Sequence, residues 1–211
     1  WKMKMDKIIC VGKNYLEHAK ELGDAVPERP VLFMKPPSVL LEAQQSETLK
    51  PHLPMGFGEV HHECELVVRL KFGGYRMSLS DSARAVDAVT VGFDMTLREL
   101  QSQLKKNGHP WTCAKVFPSS AIIGPWRYLT TIEEIEDIEF SFFLNGQKKQ
   151  SGTCRQMMLS IAETVAYASN FFALSEGDLI FTGTPKGVGP VSPGAHADLK
   201  FDTIEYSVLW Q

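Results

Sequence analysis

The chain has 211 residues, 44% hydrophobic and 22% charged, with a formal net charge of −3 at pH 7. That is enough for one sizeable core, and the slight acidity excludes the basic footprint of a nucleic-acid or anionic-membrane binder. No apolar run reaches membrane-spanning length, no signal peptide is visible, and Cys10, Cys64, Cys113 and Cys154 lie scattered without CxxC spacing, which predicts reduced thiols and a cytoplasmic chain. The chain opens on Trp1 rather than Met, leaving room for a segment upstream. No repeat or linker divides it, so residues 1–211 are expected to form a single domain.

Residues 7–11 read as a short buried strand ended by Gly12. Asn14 is expected to cap a helix from Tyr15 to Leu22, closed by Gly23. On it Glu21 follows His18 by three residues, within contact distance on a helix. Alone, this pair reads as an incidental surface contact. Glycines on both sides predict that residues 12–26 hinge as a mobile lid. Pro30 to Lys35 is a strand stopped by Pro36-Pro37, and residues 38–59 read as a long surface connection.

Val60 to Val68 is apolar and β-branched in its second half, as a strand entering a core should be. Its first half carries Glu63 and Glu65, which share one face of a strand with α-carbons about 6.5 Å apart. Two like charges at the mouth of a buried strand repel and are costly to desolvate. A hard divalent cation relieves both costs. Taken alone the pair also reads as a solvated strand end, but a second β-like run, Val89 to Phe93, ends in Asp94 and shifts the balance. Two glutamates and an aspartate suit Mg²⁺ or Mn²⁺. A zinc reading would recruit His61 or His62 and lacks a supporting His or Cys pairing.

Between these strands, a helix is expected near Ser82–Val86. After Asp94, Thr96 to Glu99 matches a capping box, with Leu97, Leu100 and Leu104 as the buried stripe, Gln101 one turn inside and Asn107-Gly108 as the stop. Trp111 to Phe117 reads as a strand carrying Lys115 among apolar neighbours, a buried cation in need of an anion or a snorkelling edge residue. Residues 138–150 form a hairpin around Asn145-Gly146. The apolar stripe of Met158, Ile161, Ala162, Val165, Ala168 and Phe172 marks a helix facing the core. Gly183 to Gly189 lacks Walker spacing and reads as a tight loop offering Thr184 and backbone N–H groups to a small anion. Ala197 to Leu209 closes the chain with one or two strands. Strands with scattered helices and no steady βαβ alternation predict an α+β fold with a mixed sheet.

Six stretches, in order, resemble the fumarylacetoacetate hydrolase family, and within it the small acylpyruvase and oxaloacetate decarboxylase members. They are Val11 to Tyr15 with His18 and Glu21; Leu32 to Pro36; His62 to Glu65; Phe93 to Thr96 with Gln101; Pro110 to Thr112 with Lys115; and Glu176 to Gly189. The resemblance implies a roll of mixed β-sheet, usually a homodimer, with Mg²⁺ or Mn²⁺ held by Glu63, Glu65 and Asp94. It implies His18 and Glu21 as a catalytic dyad on a lid, and Gln101, Lys115 and Thr184 as substrate contacts. The implied substrates are 2-oxo acids with a second carbonyl or carboxylate. The implied reaction is acylpyruvate hydrolysis, with oxaloacetate decarboxylation or keto–enol tautomerisation as the alternative. A non-catalytic metal- or ligand-binding domain is the competitor from another class. Cys64 replaces a usual aliphatic, and the last strand lacks an expected glycine.

Overall fold

The computed structural model describes residues 5–17 and 30–211. The centre is β6 (Cys64–Leu70), flanked by β13 (Leu179–Phe181) and β7 (Val86–Asp94), with both partners antiparallel to it. Its near-continuous apolar run follows from burial on both faces. The two-residue period of a strand sends Leu66 and Val68 into the larger core cluster and Val67 into a smaller one on the opposite face. β1 (Ile8–Gly12) splits the same way, with Ile9 and Val11 on one side and Ile8 and Cys10 on the other.

Around this centre the eight-stranded sheet runs β2-β1-β13-β6-β7-β9-β3, with β10 also on β7. Here β2 is Val31–Lys35, β3 Leu40–Glu42, β9 Ala121–Ile123 and β10 Arg127–Tyr128. The β1–β13 and β3–β9 pairings are parallel, so the sheet is mixed. A five-stranded sheet, β12-β11-β15-β16-β4, is built from β4 (Thr48–Leu49), β11 (Phe140–Leu144), β12 (Gln147–Gly152), β15 (His196–Phe201) and β16 (Ile204–Leu209). Its Phe142 ring packs edge-on against Phe93 of β7, with centroids 4.9 Å apart, which joins the two sheets through the core. A three-stranded sheet joins β5 (Val60–His62), β8 (Thr96–Leu97) and β14 (Gly189–Val191). The α+β expectation holds. Four α-helices are present among the described residues: α1 (Leu79–Ala85), α2 (Arg98–Lys106), α3 (Thr112–Lys115) and α4 (Ile161–Ser169).

The expected hairpin forms, with Asn145 and Gly146 both at positive φ (50° and 77°) as a type I′ turn demands. Three local expectations fail. Residues 111–117 are not a strand: Trp111 is already helical, its carbonyl accepts from Ala114 and Lys115, and α3 follows. The alternation there is too short to choose a period without a partner strand. The stretch 38–59 contains β3 and β4, whose parallel partners, β9 and β16, are far along the chain. Thr96 does not cap α2. It lies in β8 opposite His61, and Leu97 takes the capping position without a side-chain bond.

Candidate active site

The chain changes sheets at Glu63, between β5 and β6, and this break brings the acids together. Asp94, the last residue of β7, donates its N–H to Glu63 O at 2.9 Å, which clamps the two backbones side by side. Glu65 lies two residues on, opposite Gly92 of β7. Oxygens from Glu63, Glu65 and Asp94 all fall within 4.8 Å of one another, and all three residues are buried. The expected convergence of the three carboxylates is therefore present.

Burial, and after it the Asp94 and Glu63 charges, push the Glu65 carboxyl well above the ordinary carboxylate range. The Gly183 N–H, donated to Glu65 Oε2 at 2.7 Å, works in the other direction. Gly183 sits at φ +100°, a conformation that side chains avoid, and a Cβ there would come within 2.8 Å of Asn14 Cβ. The loop is expected to offer its backbone N–H groups to a small anion; in the structure the Gly183 N–H is taken by the chain's own Glu65 carboxyl.

Cations surround the acids. Lys115, 2% exposed at the end of α3, donates to Glu63 Oε2 at 2.8 Å and to Asp94 Oδ2 at 2.7 Å. Burial alone would lower its pKa, but Asp94 and Glu63 outweigh that and raise it, so the ammonium stays charged. Its role as a buried, anion-paired cation holds; the strand expected to carry it is a helix. Arg98, in the first turn of α2, pairs with Glu63 Oε1 and donates to Gln101 Oε1 at 2.7 Å. Lys35, fully buried at the end of β2, lies 2.6 Å from Asp94 Oδ1 and donates to the Met95 and Ser120 carbonyls. Asp94 Oδ1 gains no well-oriented hydrogen bond from this approach, so the contact is an ion pair by distance only.

Glu63, Glu65, Gln101, Lys115 and Thr184 line one small cavity of about 30 Å³. His18 and Glu21 lie outside the described residues, as does most of the expected 12–26 lid. Of that stretch, Asn14 is anchored: it accepts from Leu159 N–H and donates to the Thr182 and Leu159 carbonyls. The helix expected from Tyr15 to Leu22 lies mostly outside the described residues. A larger groove, about 780 Å³, lies beyond Phe33 and Trp111, but none of the three carboxylates lines it.

The donor set fits a hard divalent cation. Three buried carboxylates with mutually close oxygens carry repulsion that a dication would relieve, and oxygen ligands suit Mg²⁺ or Mn²⁺ over softer metals. The zinc alternative finds no support in the histidines. His62 Nδ1 is bound to Gln150 Oε1 at 2.9 Å, and neither His61 nor His62 joins the cluster. Sequence reasoning gave no role to Lys35, Arg98 or Gln150. A lysine closing an apolar strand before Pro36 was a usable signal for the first; Gln150 sits in a polar hairpin arm with none.

Residues 7–208 match the family described as "Fumarylacetoacetate (FAA) hydrolase C-terminal". Among curated relatives, "Oxaloacetate tautomerase YcgM" of Escherichia coli is 38% identical over 201 residues, covering 94% of this chain and 89% of that protein. "Oxaloacetate decarboxylase, mitochondrial" of Dictyostelium discoideum is 35% identical over 207 residues, covering 94% of each. Among solved structures, fumarylpyruvate hydrolase from Pseudomonas aeruginosa in complex with Mn²⁺ and pyruvate superposes with a TM-score of 0.92 at 35% identity, covering 99% of this chain and 91% of that one. By the match along nearly its whole length, and by relatives that are themselves enzymes, this chain belongs to the fumarylacetoacetate hydrolase family and is an enzyme of it.

Proposed function

We propose that residues 1–211 form one catalytic unit that cleaves the C3–C4 bond of acylpyruvate-type 2,4-dioxo acids by way of a pyruvate enolate. The carrying observation is the convergence of Glu63, Glu65 and Asp94 with the Lys115 ammonium on two of them. These carboxylates would hold Mg²⁺ or Mn²⁺, which supplies a Lewis acid toward the oxygens of the 2-oxo acid. The similar Pseudomonas enzyme, solved as a complex with Mn²⁺ and pyruvate, supports this choice.

Lys115 has three N–H donors, and two are spent on carboxylates. Its fixed positive charge stabilises the negative charge that develops on the enolate. The Gln101 amide and Thr184, which both line the cavity, orient the substrate. His18 takes a proton from the water that attacks C4, and Glu21 holds its tautomer and stabilises the imidazolium. The new C4–OH bond forms, the C3–C4 electrons pass into the enolate, and a proton returned to C3 gives pyruvate and a carboxylic acid.

The names of the Escherichia coli and Dictyostelium relatives favour a second reading at the same site, on oxaloacetate. Tautomerisation moves a proton between C3 and the C2 oxygen, and decarboxylation expels CO₂ from C4; neither needs the attacking water. Assembly as a homodimer and residence in the cytoplasm belong to the same reading, and light scattering tests the first.

The test is turnover of acetylpyruvate, fumarylpyruvate, keto-oxaloacetate and enol-oxaloacetate, with Mn²⁺ or Mg²⁺ and with EDTA. We expect metal-dependent turnover that falls by ~10²-fold or more in His18→Ala while metal affinity holds. Full activity in EDTA, or no effect of His18→Ala on any substrate, overturns the proposal. The second outcome is what a non-catalytic binding domain predicts.

A further inference from the structure

Gln150 joins all three sheets at one point. It projects from β12 of the five-stranded sheet and is 2% exposed. Its Oε1 accepts from Cys64 N–H of β6 at 3.0 Å and faces His62 Nδ1 of β5 at 2.9 Å. Its Nε2 donates to the Pro185 carbonyl and to Thr184 Oγ1, both at 2.8 Å. Two acceptor and two donor places exhaust the amide.

Backbone groups at the ends fix the direction of every bond in this chain. Cys64 N–H can only donate and the Pro185 carbonyl can only accept, so the amide has one permitted orientation. Gln150 Nε2 must therefore donate to Thr184 Oγ1. Thr184 lies 2.8 Å from the Cys64 carbonyl, which can only accept, so its single proton goes there. His62 must carry its proton on Nδ1 to meet Oε1. The loop is pressed onto β12 at this place. Gly187 sits at φ +100°, and a Cβ there would come within 2.2 Å of the Lys149 carbonyl.

We propose that Gln150 is a positioning residue that holds Thr184 Oγ1 toward the ligand as a hydrogen-bond acceptor without a proton of its own to give. A ligand group that bonds this oxygen must bring the proton, as the enol hydroxyl of a 2-oxo acid does and a carboxylate oxygen does not. The role of Thr184 toward substrate rests on the function proposed above. The hydrogen-bond polarity does not.

Gln150→Glu separates positioning from packing. The isosteric carboxylate keeps both acceptor places and loses both donations. In the Mn²⁺-loaded enzyme, Gln150→Glu should raise KM for enol-oxaloacetate about tenfold with kcat within about threefold, in keeping with one misplaced hydrogen bond. An unchanged KM in Gln150→Glu, or a loss confined to kcat, overturns the proposal. Thr184→Val should raise the same KM but leave the affinity for fully ionised oxalate within about twofold. A tenfold loss for oxalate would mean that Thr184 donates. Long-range ¹H–¹⁵N spectra should place the His62 proton on Nδ1; protonation at Nε2 alone breaks the chain. If wild-type protein turns over no 2-oxo acid, the functional reading fails, while the oxalate and nuclear magnetic resonance results still decide the polarity.

Discussion

Replacing Lys115 by Met keeps an unbranched apolar stem of similar shape and removes the ammonium. In the structure that ammonium meets Glu63 at 2.8 Å and Asp94 at 2.7 Å in a fully buried place. Removing one partner of a buried ion pair costs about 3–5 kcal/mol, because the other partner is left charged and dry. Here the abandoned carboxylates keep other company: Asp94 retains Lys35 at 2.6 Å, and Glu63 retains Arg98. The lower end, about 3 kcal/mol, is therefore expected. For a chain of this length each kcal/mol moves Tm by ~2–4 °C, so the drop should be roughly 6–12 °C. The assay is thermal unfolding in EDTA and again with saturating Mn²⁺. A dication held by the same carboxylates replaces the lost charge, so the gap should shrink by more than half with metal. The variant should also bind Mn²⁺ at least as tightly as wild type, since no ammonium competes for the oxygens. Its affinity for oxalate should fall. A drop below about 2 °C in EDTA, or a gap that metal leaves unchanged, refutes the electrostatic reasoning.

Burial, first, and the positive charge of His61 and Lys149 lower the His62 pKa to about 4, against raising contributions from the Gln150 bond and Glu63. The folded value lies below the unfolded one, so this group contributes stability above its unfolded pKa near 6.5 and loses it as pH falls through about 4. Denaturant unfolding between pH 6.5 and 4 should show a steeper loss in wild type than in His62→Asn, by at most about 3 kcal/mol; equal slopes would rule out the buried neutral imidazole. At Gly183, alanine would have to hold φ +100° within 2.8 Å of Asn14 Cβ, while keeping an N–H on Glu65. We expect Gly183→Ala to lose about 1–3 kcal/mol of stability and to weaken Mn²⁺ binding; wild-type stability and metal affinity together would show that the loop's conformation is not required.

Local pattern carried much of this fold. The strand runs at Ile8–Gly12, Cys64–Leu70 and Val86–Asp94 announce themselves because burial on one or two faces dictates their side chains. The acids were legible for the complementary reason: Glu63, Glu65 and Asp94 stand where apolar residues would otherwise continue, and burial of charge calls for a partner. Lys115 was legible by the same rule, but its element was not, since four residues of mixed pattern do not distinguish strand from helix. β3 and β4 were missed because their partners lie far along the chain, and pairing at that range leaves little local trace. Gln150 sits among Gln147, Lys148 and Lys149, a polar run that reads as solvent-facing. Only the packing of three sheets makes it buried. Arg98 has no local signal of a role; the break at Glu63 is what places a carboxylate beside it.

One dication held between Glu63, Glu65 and Asp94 is the central claim, and calorimetric titration of the metal-free protein with Mn²⁺ tests it most directly. The expected result is one ion per chain in wild type, with affinity reduced at least a hundredfold in Asp94→Asn. Absence of binding, or binding that Asp94→Asn leaves intact, would contradict it.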